Sequence, residues 1–195
     1  MPESPFAAFV ARIRAGDESA AAELVRQYEP FIRREVRMSL QDRRLNRVFD
    51  SMDVCQSVLA SFFVRTAAGA YDLDDPQQLL GLLVTMARNK LASAARRQYR
   101  QQRDARRTAA DGGAVDRAAD DLPSPSRQVA GRELLDQFRA RLTDEERAIA
   151  GLRADGVAWA DIAGRLGGTA QGRRMQLARA VERVERELGL GDGDG

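Results

Sequence analysis

Residues 142–169 read LTDEERAIAGLRADGVAWADIAGRLGGT, two short helical patterns separated by glycine. Thr143 through Glu146 spell Thr-x-x-Glu, a capping box that satisfies two free backbone donors at a helix start. Ile149 and Leu152 follow at helical spacing before Gly156 closes that helix. Trp159, Ile162, Ala163 and Leu166 repeat the period over a shorter helix, ended by Gly167 and Gly168. Thr169 can then cap a last helix whose buried side runs Leu177, Val181, Val184 and Leu188. A short amphipathic helix from Ala158 to Arg165, a tight glycine turn and a second helix opened by a hydroxyl is the layout of a helix-turn-helix.

In that motif the second helix enters the major groove with its N-terminal residues against base edges. Here those are Thr169, Ala170, Gln171, Arg173 and Arg174. Arginine pairs bidentately with guanine and glutamine with adenine, each good pair giving about 1–3 kcal/mol of discrimination. A plain helical hairpin with a solvated charged face fits the same spacing. On pattern alone both readings stand.

Upstream, almost every patterned segment also has helical period, and the fold class expected is all-α: two small helical domains joined by a flexible linker. Phe6, Phe9, Val10 and Ile13 form a stripe ended by Gly16. Asp17 can cap a longer helix carrying Leu24, Tyr28, Phe31, Ile32 and Val36, which Pro30 should kink or locally open by removing a backbone donor. Val54, Val58, Leu59, Phe62 and Phe63 mark a third helix. After the turn AYDLDDP (70–76), a fourth buries Leu79, Leu82, Leu83, Met86, Leu91 and Ala94. These fit a first domain over residues 1–100. The stretch TAADGGAVDRAADDLPSPS (108–126) has no apolar period and cannot bury enough surface to offset its ordering entropy, so a flexible linker is expected over 101–130. Leu134, Leu135, Phe138 and Leu142 resume the pattern and open a second domain over 131–190.

The 195 residues are 44% hydrophobic and 31% charged with a net charge of +2, enough for a core under a highly charged surface. Lys90 is the only lysine, so the positive charge is nearly all guanidinium, which stays protonated and suits bidentate phosphate contacts. Its distribution is uneven. From Arg88 to Arg107 run Arg88, Lys90, Arg96, Arg97, Arg100, Arg103, Arg106 and Arg107, eight cations against the single acid Asp104. A solvated helix face is usually laced with acids at i,i+4, and this one is not, so a phosphate-binding surface is favoured.

Cys55 is the only cysteine and histidine is absent, which rules out a disulfide framework, a zinc site and Ser-His-Asp or Cys-His catalysis. No cofactor, metal or small-molecule substrate is expected, and the chain does not read as an enzyme. The N-terminal stretch lacks the apolar core of a signal peptide, and no apolar run approaches the roughly 20 residues that span a bilayer. A cytoplasmic protein without a membrane partner is expected. Asp50, Asp53 and Gln56 lie on the polar side of the third helix, as plain surface or as a docking face for a basic partner. Asp72, Asp74, Asp75, Asp120 and Asp121 stand in turn or linker contexts, where a solvated loop is favoured over an acid/base pair or a metal.

Taken together, these residues resemble the extracytoplasmic-function (ECF) sigma factors, the compact branch of the bacterial sigma-70 family, over about residues 5–100 and 130–190. Leu142, Thr143, Glu145, Glu146, Arg147, Gly156, Trp159, Asp161, Ile162, Ala163, Leu166 and Gly167 are similar to the family's pattern, and Leu177, Arg179 and Ala180 to its Leu-x-Arg-Ala. Asp53 and Gln56 match an acidic segment with a core glutamine, and Ala87, Arg88 and Asn89 a landmark Ala-Arg-Asn. The resemblance implies two domains that bind RNA polymerase core enzyme and promoter DNA. Asp50, Asp53 and Gln56 would dock on the coiled coil of the polymerase's largest subunit. Arg88, Asn89, Lys90, Arg96 and Arg97 would hold the −10 element, and the turn from Gly69 to Asp75 would accept a flipped base, with Tyr71 as its stacking contact. Thr169, Ala170, Gln171, Arg173, Arg174 and Arg179 would bind the −35 element. Members are often held by an anti-sigma protein, a further partner that rests on the resemblance alone.

The chain departs from the family at Gly172 and Arg173, where Thr-Val is usual, at Ala158, which replaces a small polar cap, and at Leu82, where tryptophan is frequent. Arg173 lies four residues before Leu177, at an inward position. Either the helix starts differently here or Arg173 snorkels toward phosphate. The competing functions are a helix-turn-helix regulator acting on duplex DNA without replacing sigma, and a helical adaptor that binds protein only.

Overall fold

Local chemistry sets most helix ends. Ser4 accepts a hydrogen bond from the Phe6 amide and Pro5 occupies the first turn of α1 (Pro5–Ala15), which closes at Gly16 with φ +83°. Asp17 accepts from the Ala20 amide at 3.0 Å while Arg12 donates to its other oxygen at 2.8 Å, so one carboxylate caps α2 (Glu18–Ser39) and ties it to α1. Asp50 accepts from the Met52 amide at the start of α3 (Ser51–Ala67), and Asp75 accepts from Gln77 and Gln78 at the start of α4 (Pro76–Ala110). Four helices follow: α5 (Ala130–Arg141), α6 (Asp144–Ala154), α7 (Trp159–Leu166) and α8 (Ala170–Glu187). The computed structural model describes residues 4–39, 50–110 and 130–191, and among these every regular element is an α-helix. The all-α expectation is met.

Pro30 does not interrupt α2, which runs as one helix from Glu18 to Ser39. Pro30 is solvent-exposed, while Leu24, Tyr28, Ile32 and Val36 on the opposite side are buried. The lost backbone donor therefore falls on the wet side, and packing holds the helix through it. The expected linker also starts late. Residues 101–110 belong to α4, because their glutamines, arginines and alanines are good helix formers. Residues 111–129 lie outside the described residues, as do the last four residues of the tail.

Two hydrophobic cores organise the chain. The first joins Ile13, Leu24, Ile32 and Val36 to Val58, Phe62, Leu79, Leu83 and Ala87. The second gathers Phe138, Leu142, Ile149, Ile162, Leu177, Val181 and Val184. They are not independent: α3 supplies Val54, Cys55, Val58, Leu59 and Phe62 to the first and Ala60 and Val64 to the second, with Ala68 just beyond its end. Buried on two sides, α3 is the shared wall against which the C-terminal helices pack.

Polar contacts lock that wall in place. Arg65 on α3 donates from Nε to Glu185 Oε1 at 2.9 Å and from Nη2 to Oε2 at 2.7 Å, and Glu185 is only 2% exposed. Burial weighs most heavily, and against the Arg65 charge, but the hydrogen bond and charge of Glu185 together with Tyr71 outweigh it and raise the guanidinium pKa. Leu190, just past α8, accepts at its carbonyl from Ser61 Oγ at 3.4 Å and from Lys90 Nζ at 2.6 Å. Gly69, with φ +67°, lies so close to α6 that a Cβ there would stand 2.6 Å from Arg153 Cβ. Glycine at this position answers both demands, backbone conformation and close approach.

Candidate nucleic-acid interface

Four regions carry the residues expected to meet polymerase and DNA. At the start of α3, Asp50 serves its own helix as N-cap, so its carboxylate is committed to the Met52 amide at 2.9 Å. Asp53 and Gln56 are half-buried one turn on, and Gln56 has interactions of its own.

On α4 the inward residues are Leu79, Leu83, Ala87, Leu91 and Ala94. The opposite face presents Asn89, Ala92, Arg96, Tyr99, Arg100 and Arg103, all exposed and without an acid among them. Arg88 is exposed too and donates to Glu35 on α2 at 2.7 Å. Arg96 donates to Ser93 Oγ at 2.8 Å, one turn earlier on the same helix. Arg97 is half-buried. Lys90 points elsewhere, toward the carbonyl of Leu190, and so sits under the C-terminal helices. Arg106 and Arg107 belong to α4, but their side chains lie outside the described residues.

The turn from Gly69 to Asp75 is similarly engaged. Tyr71 faces the first core: its ring stacks on Phe62 at 6.0 Å with an interplanar angle of 10°, and its hydroxyl lies 3.7 Å from Met86 Sδ. One ring face expected for base stacking is therefore occupied by Phe62. Aromatic packing of this kind is satisfied locally, and the alternation through Leu73 turns Asp72 and Asp74 outward instead. Arg14 donates to the Tyr71 carbonyl at 2.6 Å and lies 4.0 Å from Asp72. Asp72 accepts from Arg153 at 2.9 and 3.1 Å. Arg153 is 6% exposed, donates to the Val157 carbonyl at 2.8 Å and lies 4.8 Å from the centre of the Trp159 ring. The guanidinium thus joins the Gly69–Asp75 turn to α6 and α7.

Between α7 and α8 stand Gly167, Gly168 and Thr169, and both glycines have positive φ. Thr169 Oγ1 accepts from the Gly172 amide at 3.0 Å, so α8 starts where the sequence indicates. Upstream, the capping box of α6 is complete: Glu146 N donates to Thr143 Oγ1 at 3.2 Å and Thr143 N to Glu146 Oε2 at 2.9 Å. Arg183 in turn donates to Glu146 at 2.7 Å, which fixes α8 against that cap.

Arg173 resolves in an unexpected way. It neither shifts the helix start nor reaches out to solvent. Its Nε donates to the Gly167 carbonyl at 2.9 Å and its Nη2 to that of Leu166. Nη1 donates to Glu145 at 2.6 Å and to Gln176 at 2.7 Å. Free carbonyls at a helix C-terminus attract a cation, and here one from the next helix supplies it. Hydrogen bonding from Arg173, then from Gln176, holds the Glu145 carboxyl below its ordinary pKa. One guanidinium therefore pins α6, the end of α7 and the first turn of α8 together. Gln171, Arg174 and Arg179 stay exposed along α8, Ala170 is half-buried, and no acid precedes Glu182 on this helix.

Sequence reasoning missed Arg65, Arg153 and Glu185. A signal existed for two of them. Glu185 adjoins Val184 four residues after Val181, and Arg153 falls four residues after Ile149, so each puts a charge on a buried side that only a partner can neutralise.

No helix among the described residues is long and apolar enough to cross a membrane. No curated protein and no solved structure matches the chain. A family model does: the one described as ECF sigma factor matches residues 3–189. That span takes in the arginine face of α4, the Gly69–Asp75 turn and the α7–α8 pair, and the chain belongs to the ECF sigma factor family.

Proposed function

We propose that this sigma factor directs core polymerase to promoters by reading two separated DNA elements, and that it nucleates melting at the nearer one without covalent chemistry. Asp53 and Gln56 on α3, with Asp50 at its cap, dock on the coiled coil of the largest polymerase subunit. Arg88, Asn89, Arg96 and Arg97 on α4 hold the −10 element, and Lys90 joins them once it leaves the Leu190 carbonyl. The turn from Gly69 to Asp75 takes the flipped base. For Tyr71 to stack on that base, it offers the ring face turned away from Phe62. Thr169, Ala170, Gln171, Arg174 and Arg179 meet the −35 element, while Arg173 serves by holding the turn.

The observation that carries this reading is the exposed set Asn89, Arg96, Arg100 and Arg103 on α4, with no acid among them, in a chain matched by the sigma family along nearly its whole length. Phosphate neutralisation by such a face releases counterions, so binding must weaken with salt in proportion to the contacts made. Replacing Arg88 and Arg96 by alanine should lower the slope of log K against log salt by about 2 for duplex promoter bound by the reconstituted holoenzyme. An unchanged slope, with promoter use intact, would remove α4 from the DNA interface. Free chain should bind either element weakly, because full affinity needs both sites held together on polymerase.

A further inference from the structure

The inward side of α8 is built from Leu177, Ala180, Val181 and Val184. Its outward side is centred on Met175, which is 42% exposed and one of four large apolar side chains left in water among the described residues. Residues three and four positions away are its helical neighbours, here Gln171 and Gly172 before it and Ala178 and Arg179 after it. All four are exposed. Gly172 has no side chain and Ala178 has only a methyl, so neither of these neighbours covers the exposed part of Met175. Arg173 cannot shield it, since that side chain is folded back onto the α7–α8 turn. The leading turns of α8 therefore offer an amide at Gln171, cations at Arg174 and Arg179, and one apolar group between them.

The major groove carries one apolar group, the C5-methyl of thymine, among its hydrogen-bonding edges. Arginines on both sides of Met175, with no acid before Glu182, match a polyanion rather than an apolar protein surface. We propose that Met175 packs on the methyl of a thymine in the −35 element and makes this sigma factor selective for thymine at that position. The inference rests on α8 being the helix that reads this element, and goes beyond it by naming the residue and the base.

The test uses holoenzyme reconstituted from the full chain and core polymerase, with promoter duplexes randomised across the −35 region. Each thymine in the enriched element is then replaced by deoxyuridine, which deletes only the methyl. At one position the replacement should weaken wild-type binding about fourfold, the factor associated with burying one methylene-sized group. Met175→Ala and Met175→Gln should bind the thymine and deoxyuridine promoters alike while keeping the preferences at neighbouring positions. An enriched element without thymine, wild-type binding indifferent to every deoxyuridine, or a Met175→Ala protein that still prefers thymine overturns the proposal. Failure to enrich any −35 sequence is a different result: it removes α8 as a reading helix, and this inference with it.

Discussion

Replacing Arg65 by alanine isolates a largely buried ion pair that joins α8 to α3. Glu185 is 2% exposed and takes three hydrogen-bond contacts from Arg65 at 2.7–3.2 Å, with no other side-chain partner described for it. Arg65 itself is one-third exposed, so the pair is dry at the carboxylate and damp at the guanidinium. Removing one partner of a buried pair costs about 3–5 kcal/mol, because the remaining charge is stranded. Water entering along the vacated arginine path places the Arg65→Ala loss near the lower end, about 3 kcal/mol. In a protein of this length that lowers the melting temperature by about 6–12 °C. Removing both charges should hurt less: Arg65→Met with Glu185→Leu leaves no stranded charge, and such replacements are often neutral or stabilising. Equilibrium urea unfolding of wild type, both single variants and the double variant measures the coupling directly. If Arg65→Ala loses less than about 1 kcal/mol, or the double variant loses the sum of the singles, Glu185 is not held by Arg65 in the way described.

Other consequences are simpler to check. Cys55 is buried, and burial, then the nearby Glu29 charge, pushes its thiol pKa up to about 12, against the lesser opposing pull of Arg33. It should resist a thiol-specific reagent at neutral pH in native protein and react at once in denaturant; equal rates in both would mean that α3 is not covered. Gly69→Ala puts a Cβ 2.6 Å from Arg153 Cβ at a φ of +67°, and should cost at least about 1–2 kcal/mol from backbone conformation alone. Unchanged stability would show that α6 does not rest on Gly69. Glu145 has a depressed pKa, so its bond to Arg173 favours the folded protein at pH above the ordinary carboxyl value of 4.5 and is lost as pH falls through the folded value. Carboxyl NMR should find Glu145 titrating low in wild type and closer to its ordinary value in Arg173→Met, where Gln176 still donates to it; no difference between the two would remove Arg173 from the turn.

What could be read from the sequence was what is decided locally. The Thr143–Glu146 capping box, the Asp17 and Thr169 caps and the apolar stripes of α2, α4 and α8 depend on residues within a turn or two of each other. Pro30 lies within α2 without ending it, because its lost donor falls on the side that faces water, which the core decides. The late end of α4 reflects the run of helix formers that continues past Arg100. Tyr71 was expected to stack on a base, and Arg173 to snorkel toward phosphate or mark a different helix start, yet each found a partner close by, Phe62 and the carbonyls at the end of α7 respectively. The largest gap was the packing of the two halves on α3. Arg65 and Glu185 are 120 positions apart, and no periodicity links them. Only the charge on a buried face hinted that something must come to meet it.

Sequence and structure also connect in the Gly69–Asp75 turn. Glycine at residue 69 admits Arg153, Arg153 holds Asp72, and Lys90 lies against Leu190. Two parts of the proposed −10 surface are thus in contact with the C-terminal helices.

Run-off transcription with sigma-free core polymerase and genomic promoter fragments bears most directly on the function. Added chain should produce discrete transcripts from a subset of fragments, and the Arg88→Ala, Arg96→Ala variant should lose them while still co-purifying with core. Core polymerase that starts no differently with the chain present would contradict promoter selection outright.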